Sequence, residues 1–176
     1  MIYKITNLNS KEVIKGLKIG QEVLFSGIFY MMRDQAHKRI LEQIKKQQKL
    51  PFDLNGQIIY YCGPTKTPGR KVIGSCGPTT SSRMDKFTPL LLKRGIKGMI
   101  GKGARSKEVI NAIRKNKAVY FLAPSGCGAL LAQKVKKAKV IAYSDLGPEA
   151  VRRCEVVDFP LIVGIDSKGR DIYGKK

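Results

Sequence analysis

The residues best suited to chemistry lie in a Gly- and Pro-rich segment that reads GPTKTPGRKVIGSCGPTTSSRMD over positions 63–85. Its hydroxyl and guanidinium groups follow the second Gly-Pro break and belong to Thr79, Thr80, Ser81, Ser82 and Arg83. Hydroxyls and backbone N–H groups at a turn, beside the planar donor fork of an arginine, suit a carboxylate or a phosphate. Glycine and proline set the turns, and the tripeptide GPT occurs at both 63–65 and 77–79. The segment predicts an anion-binding loop, with an ordinary surface loop as the alternative.

Two further cations stand at the ends of predicted strands. Arg33 lies where the first long strand gives way to a helix, and Lys102 lies between two glycines after a short strand. Helix N-termini carry partial positive charge and free N–H groups, so anions gather there. Together with Arg83 and the hydroxyls of Thr80 and Ser81, these cations are suited to bind a small dianion by both ends. Taken singly, each cation is better explained as a solvated surface charge.

Groups next to these cations are candidates for support. His37, the only histidine, follows Arg33 by four residues and lies on the same face of the predicted helix, although a packing role explains it equally well. Asp34 falls in the first helical turn, where a carboxylate stabilises the helix dipole. Thr79 is suited to bind the anion or to cap a helix. Its hydroxyl acts as an acid or base only where neighbours lower its pKa.

Four cysteines stand at positions 62, 76, 127 and 154, with spacings of 14, 51 and 27 residues. These spacings match neither a zinc-binding CxxC pair nor an iron–sulfur cluster motif. We expect buried, reduced thiols and no metal ligands on this chain, so that any metal is held by another chain. Cys127, in the sequence SGCG, departs from the nucleophile pattern Gly-x-Ser-x-Gly and has no spare histidine. The prediction is therefore against a nucleophile there.

The composition is typical of one folded domain over residues 1–176, because 43% of the residues are hydrophobic. No apolar run reaches the roughly 20 residues that span a bilayer. The opening segment MIYKIT lacks the apolar stretch of a signal peptide. We therefore expect a cytoplasmic protein with no membrane partner.

The net charge of +21 favours an acidic partner or a nucleic-acid-binding module. The basic residues are nevertheless spread along the chain, tryptophan is absent and no RNA-binding motif occurs. Solvated helix faces explain most of the charge. Nucleic acid is therefore not the expected partner, although a basic nucleic-acid-binding module remains the distant alternative.

Hydrophobic periodicity predicts strands that alternate with helices. The predicted strands are 22–30, 57–62, 98–100, 118–123, 139–143, 155–158 and 161–166, and the predicted helices are 33–47, 81–94, 106–116 and 127–135. Pro89 falls inside the second of these helices, where it costs about 3 kcal/mol, so we expect a kink or two shorter helices. The polar segment up to Lys18 is assigned neither helix nor strand. The alternation indicates an α/β domain, and its irregular spacing favours a mixed sheet or two sheets.

Taken together, these motifs resemble the beta subunit, equivalently the C-terminal domain, of the iron–sulfur class I fumarases and the related tartrate dehydratases. The resemblance covers nearly the whole chain. Its most specific parts are RDQAHKR at 33–39, the segment 63–85, GKG at 101–103 and EVVDFPLIVGIDSKG at 155–169. It implies a swivelling β/β/α-type domain with mixed sheets and flanking helices.

The resemblance also implies an activity, in which water adds reversibly to fumarate to give (S)-malate. It implies a four-iron, four-sulfur (4Fe-4S) cluster, held by the partner alpha subunit and not by this chain. Arg33, Arg83 and Lys102 would bind the substrate carboxylates, and Thr79 would transfer a proton together with an Asp of the partner chain. We expect a hetero-oligomer with the alpha subunit, a small dicarboxylate substrate and no activity from this chain alone.

Two positions depart from the family pattern. Ala104 follows GKG where fumarases commonly have Asn, and Cys127 stands where Pro or another small residue is expected. A tartrate dehydratase or a hydratase of a methylated fumarate, with the same machinery and a different pocket, is therefore the nearest alternative. A domain that serves only as a structural partner is a further one.

Overall fold

The computed structural model describes residues 2–174, which form a mixed sheet of seven strands flanked by helices. This confirms the predicted α/β class. The strands are β1 Tyr3–Ile5, β2 Glu22–Met31, β3 Ile58–Tyr60, β4 Gly98–Gly101, β5 Val119–Leu122, β6 Val135–Ala142 and β7 Val151–Ile165.

Five α-helices and two 3-10 helices connect the strands of this described part of the chain. The α-helices are α1 Lys11–Gly16, α2 Asp34–Lys45, α3 Thr88–Lys93, α4 Lys107–Asn116 and α5 Gly128–Lys134, and the 3-10 helices are Ser81–Met84 and Ser144–Glu149. Pro89 lies in the first turn of α3, where its missing N–H removes no helical hydrogen bond. The expected division of 81–94 into two shorter helices is confirmed. None of the helices in residues 2–174 is long and apolar enough to cross a membrane.

The sheet order is β1-β2-β3-β4-β5-β7-β6, with an additional pairing between β2 and β7. Strands β1 to β5 run parallel to one another, and β7 is antiparallel to its three partners β2, β5 and β6. Because β7 pairs with both β2 and β5, the five strands β2, β3, β4, β5 and β7 close into a circuit. This closure leaves fewer open sheet edges than a flat sheet of the same strands.

The carboxyl-terminal part of the chain differs from the prediction, because 155–158 and 161–166 belong to the single strand β7. The strand bends at Asp158, which has a φ of 48° and whose N–H donates to Ser26 Oγ at 2.9 Å. Pro160 lies beyond the last β6 pairing and before the first β5 pairing, so only β2 pairs with it. A proline is tolerated there because it has no second neighbour to donate to.

Three other elements, β1, α1 and β6, were missed or misplaced. Residues 3–16 contain β1 and α1, and the N-cap of α1, Ser10, accepts hydrogen bonds from two backbone N–H groups. The strand β6 starts at Val135, directly after α5, rather than at Lys139. Short elements of this kind owe their structure to neighbouring strands, since three residues have too little periodicity to be recognised alone.

Apolar side chains pack on both faces of the strands. Phe29 makes edge-to-face contacts with Tyr60 and Phe159 on one face, with ring centroids 5.3 Å and 5.2 Å apart. The next residue along β2, Tyr30, belongs to the other cluster, which packs under α2, α3 and α4. This alternation along β2 follows from the two-residue repeat of a strand and fixes which loops reach each face.

Candidate active site

Strands β2, β3 and β4 are parallel neighbours, so their carboxyl ends meet at one edge of the sheet. Strand β2 leads through Met32 to Arg33, and β4 runs directly into Lys102. The loop after β3 returns to this edge, because the Thr79 N–H donates to the Tyr61 carbonyl oxygen at 2.8 Å. Three segments that are far apart in sequence are therefore adjacent in space.

Asp34 joins the two arginines of the site. Its Oδ1 accepts a hydrogen bond from Arg83 Nε at 3.1 Å, and its Oδ2 lies 3.8 Å from Arg33 Nε. The Nη2 of Arg33 lies 3.9 Å from Glu149 Oε1. Both Arg33 distances are too long for hydrogen bonds, and its Nε makes none within residues 2–174. The two carboxylates thus attract Arg33 by charge alone, and its Nε is a buried donor without a hydrogen-bond partner among these residues.

The two copies of the GPT tripeptide make different contacts. Gly63 makes room for Arg33, since a Cβ at Gly63 would lie 2.9 Å from Arg33 Cδ and 3.0 Å from its Nη1. Thr65 closes the following loop, exchanging backbone and side-chain hydrogen bonds with Ser75 at 3.0 Å and 2.9 Å. The first copy therefore shapes the floor beneath a cation, whereas the second leads to the hydroxyl groups.

Ser81 fixes the loop that carries Lys102. The Ser81 N–H donates to the Lys102 carbonyl oxygen at 3.0 Å, and Ser81 Oγ accepts from the Lys102 N–H at 3.1 Å. The Tyr120 hydroxyl lies 2.9 Å from both Ser81 Oγ and the Gly103 carbonyl oxygen, and so forms hydrogen bonds with both loops. Gly101 permits this approach, because a Cβ there would overlap Ser81 Oγ. The observed contacts of Ser81 are thus internal, and its direct contact with substrate remains a prediction.

The remaining candidates of this loop are more accessible. Thr79 is partly buried and Thr80 is exposed beside Lys102, with which it forms an isolated parallel bridge. Thr80 occupies the N-cap position of the first 3-10 helix without a capping side-chain bond. Its hydroxyl is therefore available to a ligand. The side chain of Arg83 is 51% exposed and Lys102 is partly buried, so both cations face the rim of the site.

His37 lies beneath Arg33 and is completely buried. Its Nδ1 is 2.7 Å from the Arg33 carbonyl oxygen, a contact in which Nδ1–H donates. The ring packs against Tyr61 and Phe87, with centroids 5.5 Å and 5.7 Å away. Burial lowers the pKa of His37 to about 4, so the imidazole is neutral near pH 7. Its contacts suit support of the Arg33 backbone.

A buried ion pair next to the site was not predicted. Arg105 has a fully buried side chain, and its Nε donates to Asp85 Oδ1 at 2.7 Å. Its Nη2 donates to Thr88 Oγ1 at 2.8 Å, and its guanidinium carbon lies 5.3 Å and 4.9 Å from the ring centroids of Tyr61 and Tyr120. The pair links the segment after Arg83 to the segment after Lys102. No sequence signal marks Arg105, one of 34 basic residues.

The cysteines lie behind the site rather than in it. Cys62, Cys76 and Cys154 are buried free thiols, as predicted, whereas Cys127 is half-buried at the start of α5. Burial raises the pKa of Cys76 and Cys154 to about 12, and it raises the pKa of Cys62 well above its usual range. Among residues 2–174, no three His, Cys, Asp or Glu side chains are arranged to hold a metal ion.

We expect Asp85→Asn to lower the free energy of unfolding by about 3–5 kcal/mol, because it leaves the buried Arg105 charge uncompensated. Urea denaturation measures this loss. The matched control is Asp145→Asn, which breaks a surface pair between Arg39 and an aspartate whose side chain is 62% exposed. The control is expected to cost far less, because an ion pair between exposed groups contributes little to stability. Equal losses in the two variants would contradict the importance of the buried pair.

His37 makes the stability depend on pH. The histidine binds a proton near its ordinary pKa of 6.5 in the unfolded chain but only near 4 in the folded chain. The contribution of neutral His37 to the free energy of unfolding is therefore fully present above pH 6.5, and it is lost as the pH falls towards 4. Unfolding of the wild type and His37→Gln is compared across this range. We expect the stability of the variant to fall less steeply, and parallel curves would contradict the buried, neutral histidine.

Comparison with known proteins gives the family. The sequence profile described as "Fumarase C-terminus" matches residues 3–176. A protein of Methanocaldococcus jannaschii, provisionally named L(+)-tartrate dehydratase subunit beta, is 44% identical over 179 residues, which cover 98% of this chain and 91% of that protein. The L(+)-tartrate dehydratase subunit beta of Escherichia coli is 32% identical over 169 residues, which cover 93% of this chain and 83% of that subunit.

Fumarate hydratases match as well, but over a smaller share of their length. The anaerobic class I fumarate hydratase of Escherichia coli is 37% identical over 172 residues, which cover 95% of this chain and 31% of the enzyme. The chain thus spans most of the tartrate dehydratase beta subunits and about a third of this fumarate hydratase. Since the family profile covers residues 3–176, the resemblance seen in the motifs is confirmed, and the chain belongs to the Fumarase C-terminus family.

Proposed function

We propose that this chain is the beta subunit of a two-chain hydro-lyase that reversibly hydrates fumarate to (S)-malate. The observation that carries the proposal is the cationic edge at the ends of β2, β3 and β4. There Asp34 holds Arg33 and Arg83 together, and Ser81 fixes the loop of Lys102. A linear dicarboxylate has two anionic ends, and a cluster of three cations on separate segments matches such a ligand better than a single phosphate.

In this proposal the chain binds and orients the substrate. Arg33 and Arg83 offer planar donor forks to a carboxylate, while Lys102 offers a point charge from the neighbouring strand end. Cations that are already held in place neutralise the substrate and any charge that develops on it, without rearrangement during the reaction. Thr79 is the proton-transfer group, acting with an aspartate of the partner chain, and Thr80 and Ser81 line the same turn.

The 4Fe-4S cluster implied by the resemblance does not fit the cysteines of this chain. Cluster iron binds thiolates, whereas burial keeps the thiols of Cys62, Cys76 and Cys154 protonated. We therefore assign the cluster to the alpha subunit, where an exposed iron would supply Lewis-acid chemistry at the substrate hydroxyl. This chain alone is then inactive, and the complete site forms at the interface.

A tartrate dehydratase is the second candidate, and the comparisons favour it equally. The two beta subunits described above are named for tartrate, and this chain matches most of their length. Ala104 lies exposed after Lys102, where fumarases commonly have Asn. The loop that carries Lys102 therefore departs from the fumarase pattern, which favours a different dicarboxylate such as tartrate or a methylated fumarate.

Reconstitution tests the proposal and separates the candidates. The chain is expressed anaerobically with its alpha-type partner, the cluster is reconstituted, and fumarate, malate, tartrate and methylated fumarate are assayed. We expect the pair to hydrate fumarate and neither chain alone to do so. A complex that dehydrates only tartrate would retain the hydro-lyase and replace its substrate. A reconstituted complex inactive on all of these dicarboxylates would contradict the proposal.

Arg83→Ala in the reconstituted complex is expected to lower kcat/KM about a hundredfold or more, because the variant lacks a preorganised positive charge that faces the substrate. Arg83→Lys should recover part of this loss. Because the Arg83 side chain is half-exposed, neither variant is expected to change stability by more than about 1 kcal/mol. Arg94→Ala, on the exposed end of α3, is the matched control and should keep full activity. Full activity of Arg83→Ala would favour a purely structural role for this chain.

A further inference from the structure

A cavity lies at the opposite end of the strands from the candidate active site. Its volume is about 650 Å³, which is within the usual range of small-molecule sites. Its walls come from α1, from the segments that precede β3, β4 and β5, and from the residue that follows Asp166. Five lysines line it: Lys11, Lys15, Lys97, Lys115 and Lys117.

The charge of this cavity is almost unopposed. No aspartate or glutamate lines it, and none of the five lysines forms an ion pair within residues 2–174. The nearest acid on α1 is Glu12, whose carboxylate accepts a hydrogen bond from Ser10 Oγ at 2.6 Å. Lys97 Nζ donates to the Asn116 carbonyl oxygen at 2.6 Å, so one lysine is partly occupied by the end of α4. Four ammonium groups remain, three of them on helices that approach the cavity from two sides.

The floor of the cavity is apolar and its rim is polar. Leu8 and Ile14, which are 1% and 4% exposed, close the bottom of the cavity, and Asn9 and Asn55 contribute amide groups. Solvated lysines on a flat helix face would have no such floor. The combination fits a ligand with an apolar or aromatic body and several negative charges at one end.

We infer that this cavity binds a small organic polyphosphate of the size of a nucleoside di- or triphosphate. The lysines from α1 and α4 would bind the phosphates as point charges, and the body of the ligand would fill the rest of the cavity between their aliphatic stems. Several ammonium groups are needed to neutralise such a ligand, because each phosphate group of the polyphosphate chain carries its own negative charge. A monoanion would leave most of the lysines unneutralised.

The cavity is distinct from the dicarboxylate site. Lys97 precedes β4 and Lys102 follows it, so the two lysines are five residues apart on an extended segment. At about 3.3 Å per residue, their backbones are about 16 Å apart. The inference therefore does not rest on the proposed function, and an inactive hydratase would leave it standing.

Isothermal titration of the full chain with adenosine triphosphate, at about 150 mM salt, tests the inference. We expect saturable binding of one nucleotide per chain. Lys15→Gln combined with Lys115→Gln should weaken the affinity about tenfold or more, because a charge is removed from each of two walls. Lys136→Gln combined with Lys139→Gln removes the same charge from β6 and should change the affinity by less than about twofold.

Two further arms locate the ligand and its recognition. Arg83→Ala should leave nucleotide binding unchanged, since it alters only the other anion site. Inorganic triphosphate should bind more weakly than adenosine triphosphate, because it would leave most of the cavity volume unfilled. The assignment would be overturned if adenosine triphosphate showed no saturable binding, or if the two lysine double variants lost affinity equally. It would also be overturned if Arg83→Ala lost affinity for the nucleotide, or if inorganic triphosphate bound as tightly as adenosine triphosphate.

Discussion

Backbone pairing by β7 is the interaction on which the rest of the structure depends. This strand is antiparallel to β2 along most of its length, and it passes from β6 to β5 on its other side. The change of partner near Pro160 converts a row of parallel strands into a closed circuit. Closure fixes the twist of β2, β3 and β4, and therefore fixes how far apart their carboxyl ends lie. The spacing of the cations at these ends is a property of the whole sheet rather than of any loop.

Like charges at these ends would repel one another if nothing intervened. Asp34 lies between Arg33 and Arg83. Its carboxylate oxygens are 3.8 Å from Arg33 Nε and 3.1 Å from Arg83 Nε. The weaker contact belongs to the more buried arginine, which is also supported by His37 from below. One carboxylate thus keeps two guanidinium groups close together without occupying all of their donors. Next to them, Asp85 accepts hydrogen bonds from Arg105 Nε and from the Ser106 N–H, and these two bonds hold the two loops together.

Sequence reasoning singled out Arg33 and Lys102 because each follows a predicted strand, and Arg83 because it follows the second GPT turn at the start of a predicted helix. It predicted α2, α4 and the break at Pro89 because helical periodicity, caps and prolines act locally. It did not predict β1, α1 or the continuity of β7, whose existence depends on pairing with strands far away along the chain. Arg105 and Glu149 were not predicted, because Arg105 is distinguished by its burial and Glu149 by a partner far away in the sequence. The residues that flank them in the sequence indicate neither property. The functions of the site residues remain predictions.

The close approach of Gly101 to Ser81 links two positions that are 20 residues apart. A side chain at 101 would meet both Ser81 Oγ and the Tyr61 ring, so it requires a change at both neighbours at once. Replacing Ser81 alone would leave the Lys102 N–H without its acceptor and would remove one of the two hydrogen-bond partners of the Tyr120 hydroxyl. A substitution at either position alone is therefore expected to be disfavoured during evolution. Among related sequences, 101 and 81 should therefore vary together or not at all, and a homologue with a larger residue at 101 should carry its lysine on a differently shaped loop.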